Sequence, residues 1–226
     1  SDGYGGLWVA SLEYLLHFDI DKRNFTIVDV DGDGHKLQQY NRLLFCDSKK
    51  RIWAGGEMGI SVFNQVGTSL LPNTDFQIAS VLKQAFVNCF YETSSGYLWI
   101  GTRNGLFALK ESDKQFLQYT TENGLPSNVI YGILEDAYGR LWISTNQGLS
   151  CLNSESGKFR NFTIMDGLQG NQFNAGAYCR KDNGYMLFGG VNGITSFRPE
   201  TLIDNPYAPK PVINKLFVHN KEVLPD

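Results

Sequence analysis

Histidine is rare in this 226-residue chain, and its three copies, His17, His35 and His219, stand far apart. No nucleophile-elbow phrase and no His-Glu metalloprotease motif accompanies them, so hydrolytic and metal-dependent catalysis find no support. Cysteine is equally sparse. Cys46, Cys89, Cys151 and Cys179 include no close pair and no matching histidine spacing, which excludes a zinc framework or an obvious disulfide ladder. They read as small, buried, reduced residues, with one bridge left open. No cofactor and no metal is expected. No apolar run approaches the roughly 18 residues a membrane helix needs, and the first residues lack a signal-peptide pattern, so the chain itself is expected to be soluble. Charge of one sign is also missing: 20 Lys and Arg against 23 Asp and Glu give a net charge of −3 with no basic stripe, which argues against nucleic acid.

What is present is periodic. Trp8, Trp53, Trp99 and Trp142 lie 45, 46 and 43 residues apart, inside Gly6-Leu7-Trp8-Val9, Arg51-Ile52-Trp53-Ala54-Gly55, Tyr97-Leu98-Trp99-Ile100-Gly101-Thr102 and Arg140-Leu141-Trp142-Ile143-Ser144-Thr145. A fifth copy, Tyr185-Met186-Leu187-Phe188-Gly189, carries leucine in the tryptophan slot. Six residues after the anchor stands Gly59, Gly105, Gly148 or Gly193, with Tyr14 in the first copy. A glycine fixed at a turn slot points to a backbone that needs positive φ. In the fourth copy an apolar run over 128–136, the tryptophan strand 140–145, a strand over 149–153 and another over 158–163 are separated by short turns. Four antiparallel strands per 45-residue unit describe a blade, and the fold class is all-β: a β-propeller of about five repeats. Phe18, Phe63, Leu109, Leu152 and Phe197, ten residues after each anchor, and Phe25, Phe116 and Phe159, seventeen after, are expected to pack between blades.

The first repeat lacks an inner strand and the last lacks an outer one, so the chain reads as cut from a larger propeller, with seven blades the expectation. The boundaries are residues 1–202 for the blades, 203–211 for a proline-marked linker, and 212–226 for the first strand of a following β-sandwich.

Gly96-Tyr97-Leu98-Trp99-Ile100-Gly101-Thr102-Arg103-Asn104-Gly105-Leu106 and the connector Asn123-Gly124-Leu125-Pro126-Ser127-Asn128-Val129 resemble the two-component regulator propeller repeat. Gly167-Leu168-Gln169-Gly170-Asn171-Gln172-Phe173-Asn174, followed by Phe188-Gly189-Gly190-Val191-Asn192-Gly193, is similar to the last blade in the periplasmic half of Bacteroides-type hybrid sensors. Residues 209–223 look like the opening of the small sandwich domain that follows there. The resemblance implies a non-enzymatic, periplasmic sensor segment that detects polysaccharide-derived oligosaccharides, works as a homodimer, and relays binding to a cytoplasmic histidine kinase, with the membrane reached only through a transmembrane helix outside this chain.

Candidate ligand residues follow from strand direction. Arg103, Asn104, Asn146, Gln147 and Asn192 from the turns between second and third strands, with Ser127, Asn128, Gln169, Asn171, Gln172 and Asn174 from the connectors between blades, should share one face. Amides suit sugar hydroxyls, and they equally suit turns, where they cap their own backbone. Asp29-Val30-Asp31-Gly32-Asp33-Gly34 imitates a calcium loop, but Tyr40 fills the position of its last ligand, and the segment occupies a connector slot. Asp47, Glu92, Glu135 and Asp136 precede tryptophan strands at repeated offsets and read as structural carboxylates. An acid pair near the axis would instead mark a lyase or glycosidase, and broad propeller faces also serve as protein-interaction scaffolds.

Overall fold

The computed structural model describes residues 5–11, 14–28, 41–67, 69–73, 82, 84–111, 115–202, 215–219 and 221–223. The calcium-like segment 29–34, much of the irregular second connector, and the linker 203–211 lie outside them.

Among the described residues, twenty strands form six antiparallel sheets. The first sheet holds β1 (Gly6–Ala10), β2 (Leu15–Asp19) and β3 (Asn24–Val28). The second holds β4 (Asn41–Cys46), β5 (Arg51–Gly56), β6 (Gly59–Val66) and β7 (Ser69–Pro72), in that order. The third is β8 (Val87–Glu92), β9 (Leu98–Thr102), β10 (Gly105–Lys110) and β11 (Gln115–Tyr119). The fourth is β12 (Ile130–Glu135), β13 (Leu141–Thr145), β14 (Gly148–Asn153) and β15 (Lys158–Phe162). The fifth has three strands, β16 (Phe173–Arg180), β17 (Met186–Gly190) and β18 (Gly193–Phe197). The expected blades are there, each tryptophan on the second strand of its repeat, and β8, β12 and β16 lie side by side as inner strands. The sheets form an open series of blades and do not close into a ring.

No single centre holds the core. One apolar cluster fills each junction between successive sheets: Leu15, Val28, Ile52 and Phe63 between the first and second; Trp53, Phe90, Leu98 and Phe107 between the second and third; Trp99, Cys89, Ile133 and Leu141 between the third and fourth; Trp142, Phe173, Met186 and Phe188 between the fourth and fifth. A middle blade is therefore covered on both faces. All five residues of β9 and of β13 are buried, which is why these strands read as continuous apolar runs rather than alternating ones. In the fifth blade β18 buries only Thr195 fully.

The turn glycines have the expected backbone, with φ of 93° at Gly59, 121° at Gly105, 111° at Gly148 and 126° at Gly193. A second constraint joins the first: a Cβ on Gly105 would sit 2.7 Å from the Tyr119 carbonyl oxygen of the adjacent outer strand. Three expectations need correction. Phe25 and Phe116 are exposed and stack within their own blades, on Phe18 at 4.7 Å and Phe107 at 5.4 Å, because outer strands splay away from the next sheet; Phe159 alone reaches across a junction, to Tyr119. All four cysteines are free, but Cys46 is half-buried and Cys179 exposed. The segment expected to be one strand from Val212 to Val223 contains a hairpin, β19 (Leu216–Val218) and β20 (Lys221–Val223), since His219 adopts a left-handed φ of 47° and reverses the chain.

Candidate functional site

The face carrying the connectors is built by a motif that recurs. After β11, Thr120 begins a one-turn 3-10 helix (Thr121–Asn123) in which Thr120 and Asn123 cap each other; after β15, Thr163 and Asp166 do the same around Ile164–Asp166. Gly124 and Gly167 then leave in the left-handed region. Asn128 Oδ1 accepts the Thr121 N–H at 2.8 Å while its carbonyl accepts the Gly105 N–H at 2.8 Å. Asn171 repeats both contacts, with Ile164 N–H at 2.8 Å and Gly148 N–H at 2.6 Å. The connectors into the fourth and fifth blades are thereby fastened to the preceding blade's turn, and the two segments share one face as the strand directions require.

Within the turns, buried Thr102 and Thr145 donate to the carbonyls of Gly105 and Gly148, and their oxygens accept the N–H groups of Asn104 and Gln147. The candidate residues divide into two sets. Ser127, Asn128, Gln169 and Asn171 spend their side chains on local architecture: Ser127 Oγ accepts the Val129 N–H, and Gln169 bridges Asn192 N–H and the Gln172 carbonyl. Arg103, Asn104, Gln147, Gln172, Asn174 and Asn192 have side chains without a hydrogen-bond partner among the described residues, and all six are exposed. Asn146 is half-buried with its Oδ1 unpartnered. Asn174 lies not in a connector but in β16, in the stretch between Phe173 and Tyr178 where the register shifts. Two extra residues relative to the fourth repeat bulge this strand outward.

The carboxylates at repeated offsets are occupied. Asp47 Oδ2 accepts from Trp53 Nε1 at 2.8 Å and Arg51 Nε at 2.6 Å, and Oδ1 takes two backbone N–H groups. Asp136 does the same with Trp142 at 2.9 Å and Arg140 at 2.7 Å. Glu92 and Glu135 reach across junctions, each accepting both the N–H and the hydroxyl of a serine in the preceding blade, Ser48 and Ser94 respectively. Arg51 also contacts Glu111, as does Lys49. Burial would raise the Glu111 carboxyl, but the hydrogen bonds from Arg51 and Lys49 outweigh it and hold it below its usual value. Sequence reasoning missed the Glu-Ser ties and the ring beneath Arg103, whose guanidinium lies 3.6 Å over Phe86.

The sequence profile of the family described as two component regulator propeller matches residues 82–104 and 124–147. The chain carries two-component regulator propeller repeats. The first match spans β8, β9 and the turn residues Arg103 and Asn104; the second spans the connector, β12, β13 and the turn residues Asn146 and Gln147. The matched stretches therefore contain Thr102, Asn104, Asn128, Thr145 and Gln147 of the motif that builds this face. Over 216 residues the chain is 28% identical to histidine kinase P4 of Formosa agariphila, covering 92% of this chain and 16% of that protein. Among solved structures, the extracellular domain of a hybrid two-component system from B. thetaiotaomicron superposes with a TM-score of 0.82 at 24% identity, over 95% of this chain and 29% of that one. PorZ, a surface component of the type-IX secretion system of Porphyromonas gingivalis, gives 0.66 at 14% identity, over 85% and 30%. These two likenesses show the fold of the propeller repeats. The chain spans about a sixth of its curated relative and under a third of these structures. No helix among the described residues is long and apolar enough to cross a membrane.

Proposed function

We propose that this chain is a sensing segment of a hybrid two-component system, placed in the periplasm, whose connector face takes up oligosaccharides released from polysaccharide and whose blades relay the binding to a histidine kinase. The observation that carries the reading is the likeness to a histidine kinase along 92% of the chain. The geometry supports it. Six side chains of the candidate set stand exposed and without hydrogen-bond partners among the described residues, three of them, Arg103, Asn104 and Gln147, on turns tied to the connector of the next blade. Amides of this kind offer both a donor and an acceptor, which is what a hydroxyl-rich ligand requires. The carboxylates that a lyase or glycosidase would use are committed instead to indoles, arginines and serines.

Residues 203–211 would then be a linker and β19–β20 the start of the following sandwich, through which two copies of the intact sensor associate. Relay requires two arrangements of the assembly that differ in ligand affinity. The test uses membranes containing the product of the complete reading frame, with autophosphorylation measured while a digest of candidate polysaccharides is added. Stimulation is expected, and deleting residues 1–226 abolishes it. Stimulation that survives the deletion overturns the proposal.

A further inference from the structure

The turn slot four residues after the anchor differs from blade to blade. It holds Glu57, whose carboxylate lies 3.8 Å from Arg42; Arg103; Asn146; and Val191. In its pairing Arg103 differs from three other arginines. Arg51, Arg140 and Arg180 each satisfy their guanidinium on a carboxylate or a carbonyl, through Asp47, Asp136 and the Glu135 backbone. Arg103 is exposed, and among the described residues no carboxylate pairs with it. Its position is nevertheless fixed. The Arg103 N–H donates to the Phe86 carbonyl at 3.0 Å, and the guanidinium lies 3.6 Å above the half-buried Phe86 ring at the start of β8.

Stacking of this kind uses the face of the guanidinium and leaves its in-plane N–H groups free, so the planar fork is presented already oriented and fully charged. Such a fork matches the two oxygens of a carboxylate or sulfate. Beside it on the same turn the Asn104 amide has no partner among the described residues. One cation with a held orientation and one open amide together suit an anionic group carried on a hydroxylated scaffold.

We infer that Arg103, seated on Phe86, is an anion subsite that selects acidic saccharides, bearing a uronate carboxylate or a sulfate ester, over neutral ones. This rests on the reading of the connector face as a glycan-binding surface. The test is retention of the 226-residue chain on an array of oligosaccharide pairs that differ in charge: galacturonan and galactan, glucuronoxylan and xylan, carrageenan and agarose fragments. The expected result is preferential retention on acidic members, weakened by added salt and reduced about tenfold or more by R103Q, with R103K recovering part of it because it keeps the charge without the fork. Phe86→Leu, which removes the platform, should lower acidic binding while leaving neutral binding unchanged. Which pairs respond separates carboxylate from sulfate. An unchanged melting temperature for R103Q shows that the fold is intact. Retention on neutral members alone, or acidic retention indifferent to R103Q, overturns the subsite but leaves the sensor reading standing; retention on no member overturns both.

Discussion

The blades anchored by Trp53 and Trp142 solve a problem that the blade anchored by Trp99 leaves open. In the first two, a buried aspartate six residues before the tryptophan accepts the indole N–H, and the arginine two residues before it completes the aspartate. In the third, Thr93 fills the aspartate slot and spends its hydroxyl on Ser95 and Tyr97, while Tyr97 replaces the arginine. The Trp99 N–H is buried without a partner among the described residues. What holds this ring is aromatic packing, with Tyr97 at 6.0 Å and Tyr119 at 5.8 Å. One architectural slot thus tolerates two chemistries, a charged hydrogen-bond knot or an aromatic stack, because the ring fills the blade junction in both cases. The difference should show in stability, since a buried donor left unsatisfied costs about 1–3 kcal/mol.

The largest expected effect comes from Asp136→Ala, which strands the Trp142 N–H and two backbone N–H groups at once and takes from Arg140 its carboxylate partner; urea melts should show a loss of about 3 kcal/mol or more. The corresponding Thr93→Ala should lose far less, and equal losses would erase the distinction between the blades. Next come the tryptophans themselves. Trp142→Phe removes ring volume and the partner of Asp136, whereas Trp99→Phe removes ring volume and an orphaned donor, so the first should cost about 2 kcal/mol more than the second. The smallest effect is a gain. Thr93→Asp combined with Tyr97→Arg transplants the charged knot into the third blade and should raise stability by about 1 kcal/mol. A net loss would mean that Tyr97 packing outweighs the recovered hydrogen bonds.

Much of the frame was legible because it repeats: the anchors, the positive-φ glycines and the connectors each recur at a constant offset, and a constant offset in a blade means a constant place. The carboxylates Asp47 and Asp136 were visible at a repeated offset as well. Their partner was not, because a carboxylate near a tryptophan in sequence says nothing about whether the indole nitrogen faces it. The Glu-Ser ties were hidden for another reason. Glu92 and Ser48 are 44 residues apart, and Glu135 and Ser94 41, so each pair is defined only once neighbouring blades are stacked. The hairpin at His219 escaped notice because alternating apolar residues read alike in one long strand and in two short ones. Of the candidate site, the sequence showed the shared face. It could not sort Asn128 and Asn171, committed to the frame, from Asn104 and Gln147, left free, since amide composition is the same for both.

The strand β12 is tied to the preceding blade at both of its ends, by the Asn128 carbonyl on the Gly105 N–H where it begins and by Glu135 on Ser94 where it finishes. Sliding β12 along the preceding blade would have to break both ties at once, so the two ends of the strand lock the third and fourth blades in register.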